Sequence, residues 1–255
     1  MRVIGVIPAR LAATRFPGKP LATLLEMPMI GHCYYRTQLA LGIDATYVAT
    51  CDNAIADYIR SINGNVVMTS VEHTRATTRT AEALSHIEAE LGEKVDVVVM
   101  VQGDEPLIPP KAIGDTLQHF IDPNINVVNI MSRLKSLDMF VDKNNVKVVV
   151  DHENNALYFS REPIPSPWKG WDHISGFMQS GIMAFRRDTL LHFNSMPETE
   201  LEQIESVDMN RLLQTGSKIR MLLTEAALIG VDTPDELVTA EQMLRNDPDI
   251  RRYLK

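Results

Sequence analysis

Residues 3–20 read VIGVIPARLAATRFPGKP, a short apolar run that continues directly into a loop rich in proline and cations. An unbroken apolar run such as Val3 to Ile7 is typical of a strand that is buried on both faces. Arg10, Arg15 and Lys19 follow it in a chain whose formal net charge is -8. Because ligands bind where the strands of an open α/β sheet end, we predict an anion-binding site in this loop.

Similar apolar runs recur along the chain, and amphipathic stretches with helical periodicity separate them. Strand alternating with helix is typical of βαβ units, in which helices cover both faces of a mostly parallel sheet. The sequence therefore predicts a doubly wound α/β fold. The predicted strands span 3–7, 46–50, 66–69, 95–102 and 127–131, and the predicted helices span 29–41, 53–62, 77–91, 111–120 and 234–244.

The pattern changes after residue 138, where two short apolar runs stand four residues apart, a spacing typical of a hairpin. The proline-rich segment 163–167 follows, and it fits neither a helix nor a central strand. We therefore predict an antiparallel insertion near 146–196 on the α/β core, within a single domain that spans 1–255. The predicted strands of the insertion span 146–151, 156–160 and 181–186, and a further strand is predicted at 218–223.

Composition excludes several classes of protein. The chain has 255 residues, of which 45% are hydrophobic and 23% charged, as in ordinary soluble globular proteins. Its acidic balance argues against a nucleic-acid partner, since nucleic-acid binders carry a basic footprint. Cys33 and Cys51 form no CxxC pair, which argues against both a disulfide framework and a structural zinc site. The apolar start is too short for a signal peptide or a membrane span, so we expect a cytoplasmic protein with no membrane partner.

The basic loop differs from the two common phosphate-binding loops. It contains neither G-x-x-x-x-G-K-[ST] nor G-x-G-x-x-G, which excludes a P-loop NTPase. Pro17 and Gly18 predict a tight turn in which the glycine adopts a positive φ and lets an anion approach the backbone. The structural alternative is a solvated basic loop without a ligand, but its place directly after the first strand favours binding.

Asp104 is a candidate magnesium ligand. It follows the most hydrophobic predicted strand, at the end where a carboxylate faces the ligand-binding edge of the sheet. Mg²⁺ typically takes one or two carboxylates together with phosphate oxygens. The structural alternative is a helix N-cap, although the predicted helix begins several residues later.

For Asp232 spacing alone favours a structural role, because Asp-Thr-Pro is a common helix opening with Thr233 as the cap and Pro234 next.

Short motifs follow one another along the chain: PAR at 8–10, TRFPGKPL at 14–21, VQGDEP at 101–106, VKVV at 146–149, ALYFSR at 156–161 and GVDTP at 230–234. In this order they resemble the cytidylyltransferases that activate 3-deoxy-manno-octulosonate (Kdo), the CMP-Kdo synthetases. The resemblance implies a nucleotide-diphospho-sugar transferase fold. It also implies Mg²⁺-dependent transfer of CMP from CTP to an acidic 3-deoxy sugar, with release of pyrophosphate, for lipopolysaccharide synthesis. A homodimer, with the insertion in its contact, is implied as well.

The resemblance also implies roles for single residues. Arg10 and Lys19 would bind the triphosphate and stabilise the departing pyrophosphate, and together with Asp104 they form the expected catalytic set. Asp104 and Asp232 would hold Mg²⁺. The expected nucleotide-binding set is Pro8, Ala9, Arg10, Arg15, Lys19, Thr77, Arg79 and Gln102.

Two regions depart from the family pattern. Near the cytosine, His-x-Ser-Gly-Thr-Asp/Glu-Arg becomes HTRATTR at 73–79, which keeps Thr77 and Arg79 but places Arg75-Ala76 where the family has Ser-Gly. On the sugar side, His-x-Gly-Ile-Tyr becomes QSGIM at 179–183 and Leu-Glu-Gln-Leu-Arg becomes VDMNR at 207–211. The expected sugar-binding residues are Arg161, Gln179, Met183, Asp208 and Met209.

These sugar-side changes leave two interpretations open. The pocket has drifted while binding the same sugar, or it binds an acid with an altered tail, for instance 8-amino-3,8-dideoxy-manno-octulosonate. In the second case Asp208, shorter than the family's Glu, leaves room and charge for an ammonium. A cytidylyltransferase for another acidic sugar and a catalytically idle nucleotide-binding homologue are the wider alternatives. Retention of Arg10, Lys19, Asp104 and Asp232 argues against the idle homologue.

Overall fold

A computed structural model describes residues 1–12, 15–226 and 228–254. The strands are β1 (Val3–Ala9), β2 (Thr23–Leu24), β3 (Met27–Pro28), β4 (Ala45–Thr50), β5 (Asn65–Met68), β6 (Val97–Val101), β7 (Val127–Arg133), β8 (Lys147–Val150), β9 (Ala156–Ser160), β10 (Phe177–Arg186) and β11 (Arg220–Thr224). The helices are α1 (Met29–Gln38), α2 (Asn53–Ser61), α3 (Ala76–Leu91), α4 (Pro110–Gln118), α5 (Leu137–Val141), α6 (Arg187–Ser195), α7 (Glu200–Glu205), α8 (Met209–Gln214) and α9 (Pro234–Arg245).

The main sheet has nine strands, seven of them in the order β11-β7-β10-β6-β1-β4-β5. β1 pairs in parallel with β4 and β6, and β4 with β5. β7 and β11 form a further parallel pair. The predicted α/β architecture with a mostly parallel sheet is therefore confirmed.

The antiparallel segment is present, but its placement is less simple than a separate insertion. β8 and β9 form the predicted hairpin, which joins the main sheet through the start of β10. β10 itself runs antiparallel between β6 and β7, in the middle of the sheet. Its apolar run reveals a buried strand but not its neighbours, because pairing partners are set by tertiary structure. The helices α5 to α8 are absent from the prediction, and α6 lies inside the segment predicted to be antiparallel. α5, α7 and α8 have six residues or fewer, too few turns for a clear periodicity.

Two hydrophobic layers lie on the two faces of this sheet. Along β1, Ile4 and Val6 face one layer and Val3 and Ile7 face the other, as the two-residue period of a strand requires. Residues of α3, α6 and α8 pack in the first layer, and residues of α1, α2 and α4 in the second. The carboxyl ends of β1, β4 and β6 consequently meet at one edge. No helix in the described ranges is both long and apolar enough to cross a membrane.

A buried ion pair fixes the turn between α7 and α8. Arg211 Nε and Nη2 each lie 2.6 Å from a carboxylate oxygen of Glu202, and both side chains are almost wholly buried. Arg211 Nη1 also donates to the carbonyls of Phe193 and Met196, at 3.1 Å each. The ion pair therefore joins the two ends of segment 202–211, which carries Asp208.

Replacing one partner of this pair should be strongly destabilising. In Arg211→Met the Glu202 carboxylate stays buried without its cation, and we expect the free energy of unfolding to fall by about 3–5 kcal/mol. Urea denaturation followed by circular dichroism measures the change. Arg60→Met is the matched control, since its pair with Asp57 is exposed and should be worth about 1 kcal/mol or less. Equal losses in both variants would contradict this assignment.

Candidate functional site

A cleft at the carboxyl edge of the sheet consists of two adjoining cavities of about 340 and 410 Å³. Both volumes lie in the range of small-molecule sites. Loops that follow β1 and β6 form the wall of the first cavity, and the antiparallel strands contribute to the second. The residues that line both are Arg15, Thr74, Arg75, Ala76, Gln102, Asp104 and Asp232.

The basic loop after β1 is held in place by backbone contacts. Leu11 N donates to Asp52 Oδ2 at 2.8 Å, and Gly18 N donates to the Leu11 carbonyl at 3.0 Å. Gly18 has a φ of 75°, which confirms the positive φ predicted for this glycine, and it precedes the short 3-10 turn that carries Lys19. Ala13 and Thr14, which belong to the motif quoted above, lie outside the described residues.

Lys19 lies between the two predicted metal ligands. Its Nζ is 2.6 Å from Asp104 Oδ2 and 2.9 Å from Asp232 Oδ1, and its side chain is only 14% exposed. Burial alone would lower the pKa of Lys19, but the adjacent Asp104 and Asp232 carboxylates outweigh it and raise that pKa above its ordinary value. Two carboxylates from distant parts of the chain thus converge on a single cation.

Asp232 combines a structural position with a half-buried carboxylate that faces the cleft. Thr233 caps α9 in a capping box with Glu236, and Pro234 follows, as the Asp-Thr-Pro pattern predicted. The Asp232 side chain points away from this cap: Oδ2 accepts from Arg15 Nη2 at 2.8 Å. Asp104 is not a helix cap, because Pro109 occupies the N-cap position of α4. Both carboxylates are therefore available to the cleft.

The first cavity concentrates positive charge in an acidic protein. Its described lining includes five Lys and Arg residues against two carboxylates: Arg10, Arg15, Lys19, Arg75 and Arg79 face Asp104 and Asp232. Arg10 is exposed, and its one long contact is from Nη1 to the His73 carbonyl at 3.4 Å. An anion of high charge fits this surface by Coulomb attraction in a partly dry cleft.

The structure brings seven of the eight predicted nucleotide-binding residues to the first cavity, and the exception is Thr77. The Thr77 side chain is fully buried and donates from Oγ1 to Asp208 Oδ2. Arg79 borders the cavity but is also buried, where it donates to Thr69 Oγ1 and to the Ser70 and His73 carbonyls. Its guanidinium therefore also shapes the loop at 69–73.

Four of the five predicted sugar-binding residues line the second cavity: Arg161, Gln179, Met183 and Asp208. Met209 does not. Its side chain is fully buried in the hydrophobic layer beneath α8, because neighbouring helical residues point in different directions. The expectation that Met209 contacts a ligand therefore needs correction, since it packs the core beside Asp208.

Arg75 and Glu105 belong to the cleft but not to the predicted sets. Arg75 Nη1 lies 3.3 Å from Asp208 Oδ1. Arg75 stands where the family pattern has Ser and Asp208 where it has Glu, so the two departures from the pattern pair with each other. Their sequence separation hides this pairing. Glu105 lies buried beside the second cavity and accepts from the Gly181 N–H, while its Oε2 has no hydrogen-bond partner among the residues that the structure describes. The sequence signal that could have identified Glu105 as a cleft residue is its position next to Asp104.

The described residues contain no cluster of three or more His, Cys, Asp and Glu side chains arranged for a metal. The predicted site therefore offers two carboxylates, and further oxygen ligands must come from a bound molecule or water. Two protein carboxylates completed by phosphate oxygens are a usual set for Mg²⁺.

Comparisons with known proteins agree on one family. The cytidylyltransferase family model matches residues 4–219. The 3-deoxy-manno-octulosonate cytidylyltransferase of Trichlorobacter lovleyi is 40% identical, with 96% of this chain and 99% of the relative covered. That of Syntrophotalea carbinolica is 41% identical over the same shares. The structure of CMP:2-keto-3-deoxy-manno-octonic acid synthetase complexed with CTP matches with a TM-score of 0.88 at 33% identity, covering 96% of this chain and 99% of that one.

Glu105 should make the stability of the metal-free protein depend on pH. Burial raises the pKa of Glu105 from 4.5 to about 8, so between these values the folded protein holds a proton that the unfolded chain releases. The free energy of unfolding should then fall as pH rises from about 5 to about 8, by about 1 kcal/mol per pH unit relative to Glu105→Gln. Urea denaturation of both proteins across this range measures it. Parallel pH profiles would contradict a buried, protonated Glu105.

Proposed function

The chain belongs to the 3-deoxy-manno-octulosonate cytidylyltransferase family, and from this premise we propose that it transfers CMP from CTP to the anomeric hydroxyl of a Kdo-type acid. The observation that carries the proposal is the first cavity, which Arg10, Arg15 and Lys19 line together with two carboxylates at the end of the sheet. A triphosphate matches this charge. The second cavity adjoins it, so an acceptor there lies next to the phosphates.

The reaction needs no covalent intermediate with the protein. The oxygen of the anomeric hydroxyl attacks the α-phosphorus, the bond from that phosphorus to the bridging oxygen breaks, and pyrophosphate leaves with that oxygen. The hydroxyl proton passes to solvent. Arg10 and Lys19 neutralise the charge that grows on the departing pyrophosphate. Adjoining cavities hold the reactants together, which removes much of the entropic barrier.

We propose Mg²⁺ as the cofactor, held by Asp104 and Asp232. Both carboxylates approach one point within 3 Å, as the two contacts of Lys19 Nζ demonstrate, and oxygen donors suit this hard cation. Bound there, Mg²⁺ would neutralise phosphate charge and polarise the phosphoryl group. Lys19 would then bind the phosphates. Arg15 holds Asp232 through Nη2 and donates from Nη1 to Asn144 Oδ1 at 2.7 Å.

For the sugar we propose the 8-amino-3,8-dideoxy analogue as the preferred substrate. Support comes from Asp208, which lines the second cavity with a side chain 18% exposed. Arg75 and Thr77 each contact one of its oxygens, but a carboxylate has about four lone-pair sites, so it can also accept from an ammonium. Gln179 and Met183 line the same cavity without charge.

We propose further that the chain acts as one domain over 1–255 in a homodimer, with the 146–196 segment in the contact. β8 and β9 support this role, because they branch from the start of β10 and lie outside the run of seven neighbouring strands. Sedimentation of the purified protein tests the dimer, and a monomer at micromolar concentration would show that the dimer proposal is wrong.

Pyrophosphate release tests the function and the sugar together. CTP, Mg²⁺ and either Kdo or its 8-amino analogue are offered to the wild-type protein and to Asp208→Asn. We expect the amino sugar to be preferred, and its kcat/KM to fall about tenfold in Asp208→Asn, because a charge-assisted hydrogen bond is lost. Turnover of Kdo should change little. Equal or better wild-type use of Kdo would refute the amino preference, and CTP binding without any turnover would indicate the idle homologue.

Lys19→Ala should separate two roles of the ammonium. Loss of its phosphate contact should lower kcat/KM for CTP by at least about tenfold, or 1.4 kcal/mol. Loss of its pairing should let Mn²⁺ bind more tightly without nucleotide, because Asp104 and Asp232 no longer have their cation. Electron paramagnetic resonance measures free Mn²⁺, and Lys111→Ala, an exposed lysine, is the control. Normal CTP use with unchanged Mn²⁺ affinity would show that Lys19 has neither role.

A further inference from the structure

Lys147, in the VKVV motif at the start of β8, has no part in the reaction described so far. Its side chain is fully buried, with an exposed fraction of 0%. An ammonium in such a place normally pairs with a carboxylate, because an unpaired charge is expensive to remove from water. Lys147 does otherwise. Among the described residues, no carboxylate oxygen lies within 4.0 Å of its Nζ.

Three backbone carbonyls take the place of a carboxylate. Lys147 Nζ donates to the carbonyl of Asp142 at 2.9 Å, of Asn145 at 2.7 Å and of Arg161 at 2.5 Å. An ammonium has three donors, so all of them are satisfied. The first two carbonyls belong to the loop between α5 and β8, and the third lies directly after β9. Lys147 therefore ties two separate segments together.

Both segments form one wall of the second cavity. Asp142, Asn144, Asn145 and Arg161 all line it. Arg161 strengthens the junction, since its Nη1 donates to the Lys143 carbonyl at 2.9 Å and its Nε to the Glu205 carbonyl at 2.9 Å. Its guanidinium, like the Lys147 ammonium, is held by carbonyl oxygens. Two cationic side chains are thus held by carbonyl oxygens in this wall, close to the cavity.

The arrangement is better suited to placement than to stability. Burial lowers the pKa of Lys147 and outweighs the opposing effect of the nearby Asp142 and Glu162 carboxylates. Buried ion pairs, which Lys147 does not form with any described residue, are often replaced by apolar side chains of similar size with little loss of stability. An apolar side chain, however, cannot hold three carbonyls at fixed positions, and it brings no charge to a site for an anion.

We propose that Lys147 is a positioning residue for the acidic sugar: its buried ammonium joins the 142–145 loop to Arg161 and so sets the wall against which the sugar binds. This inference rests on the proposed function and deepens it. Lys147 acts through the segments it holds and through its charge, and it touches neither CTP nor the reacting atoms. Sugar binding should therefore depend on it, and nucleotide binding should not.

Lys147→Met tests the proposal by a split between the two substrates. We expect the KM for the sugar acid to rise by at least about tenfold, while the Kd for CTP, measured by calorimetry, changes less than about twofold. Partial unfolding would lower the active fraction and kcat without this split. Lys111→Met is the control, because Lys111 is exposed and lies on α4 beside Asp115. If Lys147→Met fails to fold, Lys147→Gln is measured in its place, since its amide retains two donors.

The outcomes separate this inference from the function beneath it. If the wild-type protein turns over a Kdo-type acid and the variant keeps its sugar KM, the positioning role is wrong and the function stands. A parallel rise in sugar KM and CTP Kd would likewise overturn it, because the effect would not be confined to the sugar wall. If the wild-type protein turns over no such acid, the proposed function fails, and the inference fails with it.

Discussion

The contact of Lys19 with Asp104 and Asp232 is the interaction on which the cleft depends. The three residues come from the loop after β1, the loop after β6 and the entry to α9, and they are separated by 85 and 213 positions in the chain. Without a cation between them, two carboxylates this close would repel each other. The sheet brings these loops to one edge, and the ammonium lets them remain there.

In the second cavity Asp208 is likewise paired within the protein. Arg75 and Thr77 hold Asp208, and the buried Glu202–Arg211 pair fixes the turn that carries it. An anionic ligand therefore enters a cleft whose cations already have partners. Under the proposed function it would compete with these carboxylates for Lys19 and Arg75, so that binding would exchange one set of ion pairs for another.

Much of this could be predicted from the sequence, and the failures have identifiable causes. Long apolar strands and amphipathic helices revealed the doubly wound sheet, and Gly18 and Thr233 acted as their residue types predicted. The central position of β10 could not be read from its own residues, because pairing depends on distant strands. Met209 was misplaced, since a motif match does not tell which side of a short helix faces the cleft. The Arg75–Asp208 pair joins residues 133 positions apart, which no local pattern reveals.

Under the proposed function, CTP and a divalent cation bind where Lys19 now lies. A crystal structure of the protein with CTP and Mn²⁺ tests this most directly, because manganese is located by its anomalous signal. We expect a triphosphate along the loop after β1, an anomalous peak bound by both Asp104 and Asp232, and Lys19 moved onto the phosphates. Nucleotide bound elsewhere, or Lys19 still between the two carboxylates with CTP present, would contradict it.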